Sequence, residues 1–391
     1  MTYIPLSTDA QSLDDLWRQV EEAQRKDHPQ TAMKLLQQIA DRAEQQKDYG
    51  QILTAEFRYA SCLTTVSPDS LGSALNRLEQ KREQCQKSNP ALSAIYSALL
   101  AHAYKINIYV DETYTDLAAQ RKKDAFANLD VLARTQAKNY TPAVVTRVDS
   151  KMFNNDLLHV LAFELREYEL MRSYYEAHGN REATCLLWRY VFEAQLTENN
   201  SKAECRRQIV QIDQLIQQYA DLPVAGELAL YRYTLMDRLS DDYTPQQKVA
   251  YIDQNLQRWA AWKRIAELQN MRNSLTQPQY SATLSSQLYT SETPIKIQID
   301  DLRNLNQLGV NIYRTKLSGE NEEDYYSNDQ LLKIKTNSTL MPQMSVSRSY
   351  SHHPEYELVT DSINLPPLPV GVYLVETLGD ANGMNPQLML L

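Results

Sequence analysis

The feature that most constrains this 391-residue chain is the distribution of its glycines. Residues 1–290 hold four, at positions 50, 72, 179 and 226, while residues 291–391 hold five, at 309, 319, 371, 379 and 383. A long segment so poor in glycine leaves few β-turns and favours helices joined by short loops. The remaining segment carries the turn residues that short strands need. The chain therefore reads as α first and β second.

Hydrophobic periodicity supports the first half of that reading. Leu13, Leu16, Trp17, Val20 and Ala23 fall on one helical face, as do Ala32, Leu35, Leu36, Ile39 and Ala43. Leu157, Leu158, Leu161, Leu165 and Tyr168 make a third stripe, and Ile209, Ile212, Leu215, Ile216 and Tyr219 a fourth. Leu228, Tyr231, Leu235 and Leu239 make a fifth. Spacings of three and four residues mark amphipathic helices that each hide one side. Ser67-Pro68, Asn89-Pro90, Thr141-Pro142 and Thr244-Pro245 each set a capping side chain before a proline, the pattern of a helix start. Thr244 and Gln247 also have capping-box spacing. The pattern predicts roughly eleven or twelve helices of about 15–22 residues. Short connectors make sequence neighbours pack together, which gives stacked helical hairpins, an α-solenoid. The strict tetratricopeptide signature is absent, so the expectation is a tetratricopeptide-like array over residues 1–280.

After Pro278 the texture changes. The stretch "QPQYSATLSSQLYTSETP" is rich in Ser, Thr and Gln and reads as a linker, placed at 281–293. Seven short alternating segments follow, at 294–299, 308–315, 331–336, 344–350, 356–363, 371–376 and 388–391. Seven strands in about 100 residues is the profile of an Ig- or fibronectin-like β-sandwich, expected over 294–391. Within it, "LPPLPVGVYLVE" places Pro369 and Gly371 at a corner and Tyr373 just inside the sixth strand. In such sandwiches a tyrosine there bonds back to the backbone and holds the turn between sheets. Leu365, Leu368 and Val375 then fill the core beneath it.

Composition narrows the function classes. Hydrophobic content of 43% and charged content of 23% are those of a globular chain. The net charge of −9, with no basic stripe, argues against nucleic acid. There is no run of 18 apolar residues and hence no transmembrane helix. The start "MTYIPLSTDA" lacks the basic and apolar regions of a signal peptide, although a leader removed upstream of Met1 is compatible with it. The 25 tyrosines against 5 phenylalanines fit a core with half-wet edges; the sharper alternative is a carbohydrate- or peptide-binding surface. Cys62, Cys85, Cys185 and Cys205 lie in helical segments without C-x-x-C spacing. Buried thiols are the favoured reading, and a Cys62–Cys85 or Cys185–Cys205 disulfide is the alternative.

Two segments carry a resemblance. "TPIKIQIDDLRNLNQLGVNIYRT" (293–315) and "INLPPLPVGVYLVE" (363–376) resemble the first macroglobulin-type domain of large bacterial alpha-2-macroglobulin family proteins. Residues 16–60 resemble the opening helices of the helical region that precedes those domains in one branch of the family. The resemblance implies an exported protein, periplasmic or attached to the outer membrane as a lipoprotein, related to protease-trapping inhibitors. It implies protein partners: the remaining macroglobulin domains of a longer chain, and proteases. The chain departs from the family in lacking the C-x-E-Q thioester motif after any of its cysteines, so no thioester residue carries over. A chain of this length also lacks room for a bait region and later domains. The expectation is the N-terminal part of a much larger protein.

The residues themselves nominate few sites. His352, His353, Glu355 and Glu357 are the one cluster resembling metal ligands, and strand alternation would put three of them on one face. A solvated turn before a strand is the favoured reading. Asp300-Asp301 and the acidic run 320–324 lack calcium-loop spacing. His28, His102, His159 and His178 show no acid–nucleophile constellation around them. Trp17, Trp188, Trp259 and Trp262 read as packing residues between helices. No nucleotide, hydrolase or metalloprotease motif is present. No catalytic, cofactor-binding or metal residue is assigned, no cofactor is expected, and the chain reads as a non-enzyme. The leading function is a non-catalytic structural or partner-docking module of a macroglobulin; the alternatives are an α-solenoid interaction scaffold and a glycan-binding protein of the cell envelope.

Overall fold

A computed structural model describes residues 12–196, 201–286, 288–317, 327–337 and 341–391. Helices come first, then two antiparallel sheets. By compactness the chain divides into two units, Met1–Thr197 and Glu198–Leu391.

The first unit is helical: α1 (Leu13–Arg25), α2 (Pro29–Gln46), α3 (Tyr49–Val66), α4 (Leu71–Cys85), α5 (Pro90–Ile106), α6 (Tyr114–Ala125), α7 (Leu129–Arg134), α8 (Leu157–Glu164), α9 (Tyr168–Ala177) and α10 (Arg181–Gln195). From α1 to α6, and again from α7 to α10, each helix packs on its sequence neighbours. The stripes read from sequence are the buried faces: Leu16, Val20 and Ala23 of α1 meet Ala32, Leu36 and Ile39 of α2. Ser12 and Asp15 close a reciprocal capping box at the start of α1. A buried carboxylate ties three helices. Glu56 of α3 accepts from Arg77 of α4 at 2.6 Å, and Arg77 reaches Gln37 of α2 at 2.7 Å.

The second unit opens with two helical hairpins: α11 (Lys202–Gln218) with α12 (Gly226–Arg238), and α13 (Pro245–Arg258) with α14 (Glu267–Thr276). The pair repeats at an offset of 40 residues, and each copy is closed by the same ion pair. Arg232 binds Asp213 at 2.6 Å, and Arg272 binds Asp253 at 2.6 Å. Ile212 and Ile252, Tyr219 and Trp259, Glu227 and Glu267, and Leu228 and Leu268 occupy equivalent places.

The strands are β1 (Gln279–Leu284), β2 (Ile295–Arg303), β3 (Gln307–Arg314), β4 (Met344–Ser349), β5 (Val359–Leu365), β6 (Tyr373–Gly379) and β7 (Gln387–Leu390). One sheet has the order β1-β2-β5, the other β4-β3-β6-β7. Alternation fills the space between them: Ile295, Ile297 and Ile299 of β2 share a core with Leu308, Val310 and Ile312 of β3 and Val375 of β6. Tyr280 of β1 crosses this core to donate to the Thr377 carbonyl of β6 at 2.7 Å. Tyr373, the first residue of β6, is 2% exposed and donates its hydroxyl to the Pro369 carbonyl at 2.7 Å, the corner bond its position predicts. The sheets meet the second hairpin through Arg303 and Asn304, which donate to the Ser274 and Leu275 carbonyls at 2.7 and 2.9 Å.

Several expectations are corrected. Segment 331–336 lies in a helix, α15 (Asn328–Asn337), in the connection between β3 and β4. Ser327 and Gln330 cap it reciprocally, and Leu331 and Ile334 cover Tyr313, Leu374 and Leu388 on the outer face of the four-stranded sheet. Conversely, β1 begins where the sequence read the end of the helices and then a linker. Its Tyr280 and Ala282 face inward while polar neighbours face out. The fifth expected strand starts later, at Val359. The Leu157–Tyr168 stripe is two helices, broken at Arg166 with φ of 56°. Thr141-Pro142 starts no helix. Fourteen α-helices of 6–18 residues precede β1 among the described residues, more and shorter than predicted.

Candidate functional site

One polar cluster in the helical unit has the layout of catalytic machinery. The N-cap residue of α8, Asp156, accepts the His159 backbone N–H at 2.9 Å and faces His159 Nδ1 at 3.1 Å. His159 Nε2 lies 2.8 Å from Ser150 Oγ. The Arg147 backbone N–H donates to that same Oγ at 2.7 Å. A carboxylate only accepts, so His159 Nδ1 carries the ring proton and donates it to Asp156, and Nε2 accepts from the Ser150 hydroxyl. Tyr175 of α9 donates to the other Asp156 oxygen at 2.6 Å, with its proton held on by burial first and the Asp156 charge second. The order Ser–His–Asp is that of a hydrolytic triad. Access is what differs. Ser150 is 3% exposed, Asp156 1% and His159 0%, with Phe153 stacked on the imidazole at 5.3 Å. In this packed state no substrate carbonyl reaches Ser150. The cluster ties the 150–156 loop to α8 and α9. The sequence reading found no acid or nucleophile around His159; Asp156 three residues before it was the available signal, since an N-cap acid and the residue three later share a turn.

The other nominated residues are dispersed. His352, His353 and Glu355 are exposed in turns before β5, not on a strand, so strand alternation does not gather them. His353 lies beside the Tyr350 ring at 5.7 Å, lining a shallow hollow with Arg348 and Asp361. Asp300 and Asp301 form a bulge in β2, with Asp301 at φ of 52°. The acidic run 320–324 lies outside the described residues. Among the described residues, no three His, Cys, Asp or Glu side chains converge as a metal site. All four cysteines are buried and carry thiols rather than disulfides. Trp17 donates to Gln51 at 2.6 Å, Trp259 to Asn255 at 3.0 Å and Trp262 to Glu227 at 2.8 Å, while Arg172 covers the Trp188 ring at 4.2 Å. No described helix is long and apolar enough to cross a membrane.

One feature open to a partner is a groove of about 550 Å³ on the repeated hairpins. That is within the ~300–1,000 Å³ of ligand pockets. One wall is Val210, Asp213, Gln214 and Gln217 of α11, one turn apart along the helix; the other is Tyr251, Gln254, Asn255 and Arg258 of α13 at the same spacing. Arg232 of α12 lies between them, bound to Asp213 and stacked over the Tyr251 ring at 4.8 Å. Tyr251 is itself fixed by donating to the Ala229 carbonyl at 3.0 Å. Asn255 spends both ends of its carboxamide, on the Tyr251 carbonyl at 2.8 Å and on Trp259 at 3.0 Å. Gln214, Gln217 and Gln254 are exposed and make no side-chain hydrogen bond among the described residues. Arg258 rests over the Trp259 ring at 4.6 Å and has no acid within ion-pair distance among them. The sequence shows the apolar stripe of α11 and, for α13, the cap formed by Thr244 and Gln247; the glutamines facing the groove carry no such pattern. Against known proteins, the chain matches no family model and no curated protein.

Proposed function

We propose that this chain is the non-catalytic N-terminal portion of an alpha-2-macroglobulin-like protein, acting as a structural or partner-docking module of an exported, envelope-associated assembly. In this reading the helical hairpins form a tetratricopeptide-like solenoid, and the two sheets are a macroglobulin-type sandwich. The observation that carries it is the strand order. Named A, B, C, C′, E, F and G along the chain, the strands pair as A-B-E and C′-C-F-G, an arrangement of the Ig and fibronectin class. The Tyr373 hydroxyl bond to Pro369 at the start of strand F supports the same assignment. A helical array followed by one such sandwich is the domain order that the sequence resemblance implies. Its chemistry is that of surfaces: the triad-like cluster around His159 is sealed in the core, and the groove of α11–α13 is exposed.

The test is the genomic reading frame downstream of Leu391. The proposal expects it to continue through further sandwich domains and a protease-sensitive bait segment. A stop codon at that point would overturn it and leave a free-standing interaction scaffold, the reading that the groove by itself supports.

A further inference from the structure

We infer that the groove between α11 and α13 binds an extended peptide segment carrying an acidic side chain. The inference rests on the docking role just proposed and names the partner's chemistry. Three things in the groove call for a peptide. First, Gln214, Gln217 and Gln254 each offer a donor and an acceptor that the fold leaves unspent. A carboxamide matches a peptide group, which also presents one N–H and one C=O, and an extended strand presents them outward because it has no internal hydrogen bonds. Second, the floor is rigid. Arg232, Tyr251 and Asn255 are committed to Asp213, the Ala229 carbonyl and Trp259, so a ligand does not have to order them. Third, each wall spans eight residues of its helix, seven steps and about 10 Å at the usual rise, a length that accepts about three extended residues.

Charge selects the side chain. Asp213 and Arg232 neutralise one another as a bidentate pair at 2.6 and 3.1 Å. Arg258 is left over, where the first repeat has Gln218. The groove thus carries one uncompensated positive charge on a chain of net charge −9. The Trp259 ring beneath the guanidinium holds it in place without neutralising it. A carboxylate is the group that pairs with a guanidinium through two parallel hydrogen bonds. Val210, 59% exposed on the opposite wall, gives an apolar neighbour of that carboxylate a surface to cover. An internal side chain is the source proposed for the carboxylate, and a chain-end carboxylate is the alternative that the probes separate.

The probes are fluorescein-labelled hexapeptides with blocked ends, alternating Val and Glu, and the same peptides with Gln or Lys in place of Glu. An amidated-side-chain peptide with a free C-terminal carboxylate is the fourth probe. Binding to the full chain is read by fluorescence anisotropy. The expected result is binding of the blocked Glu peptide, about tenfold or more weaker for the Gln and Lys peptides, the size of one hydrogen bond to a charged group. Arg258→Glu and Arg258→Gln abolish that preference, whereas Arg207→Glu, an exposed change on α11 outside the groove, leaves it. Unchanged melting temperatures show that the variants fold. Equal binding of Glu and Gln peptides, binding of the free-carboxylate peptide alone, no binding of any probe, or insensitivity to Arg258→Glu each overturn the inference. A stop codon after Leu391 would remove the macroglobulin reading and leave this result as it stands.

Discussion

At the scale of single residues, packing and polar satisfaction explain most of what the sequence concealed. Position 50 shows the first. Glycine there lets the start of α3 lie against the backbone of residues 140–141: a Cβ would sit 1.9 Å from the Thr141 carbonyl oxygen and 2.8 Å from the Tyr140 carbonyl carbon. Gly50→Ala is therefore expected to destabilise the helical unit by about 1–3 kcal/mol, the usual cost of overpacking, because rigid backbone has to move. Chemical denaturation of the variant and parent measures it; a variant of equal stability would mean the loop yields freely. His159 shows the second. Reading along the chain reveals Asp156 but not Ser150 nine residues back, since the turn that brings them together has no periodic signature. The same holds for Glu227, whose partners Trp262 and Arg264 are 35 and 37 residues away. Long-range polar pairs leave no local pattern, so the buried network and the groove's charge balance were both illegible, while Tyr373 was legible because its bond spans four residues.

Whole elements were legible where apolar periodicity ran unbroken and misread where it was short. Strands β2, β3 and β6 and helices α1, α2, α11 and α12 follow their patterns closely. β1 was read as linker because its outward residues are Ser and Thr, and α15 as a strand because "LLKIKT" alternates over six residues while its cap, Ser327 with Gln330, lies just before. That helix also supplies a pH-sensitive contact. Glu376 of β6 is 3% exposed; burial pushes its carboxyl up, but Lys335 of α15 and hydrogen bonds from Tyr313 and Asn311 outweigh burial and hold it below its ordinary 4.5. A carboxylate with a depressed value stabilises the folded form above its unfolded value and loses that contribution as pH falls through the folded one. The clasp of α15 on the sheet is thus expected to be intact near neutral pH and to weaken as pH drops below 4.5. Hydrogen exchange of α15 amides, compared at pH 6 and pH 3.5 after correction for intrinsic rates, should show lost protection in the parent. Glu376→Gln should start with lower protection and change less. Equal protection at both values in the parent would refute the clasp.

For the whole molecule, helices first and sheets second was readable from glycine and periodicity, but the grouping of α11–α14 with the sheets was not. The boundary read from composition marks where helices end. The compact units follow contacts, including those from Arg303 and Asn304 to the end of α14. A fragment of residues 201–391 is accordingly expected to melt at a higher temperature than residues 279–391, which lose the Ser274 and Leu275 carbonyl partners. Scanning calorimetry of both fragments decides it, and identical melting would show that the hairpins add nothing to the stability of the sheets.

The central claim is that this chain contributes surfaces and no protease-trapping machinery. The most direct measurement incubates the purified chain, in molar excess, with several unrelated proteases and follows cleavage of a large protein substrate and a small peptide substrate in parallel. A trap blocks the large substrate and spares the small one. The account predicts no such selectivity: both substrates are cut at the rates seen without the chain, or the chain is simply degraded. Protection of the large substrate with continued cleavage of the small one would place the trapping machinery inside these 391 residues and contradict the account.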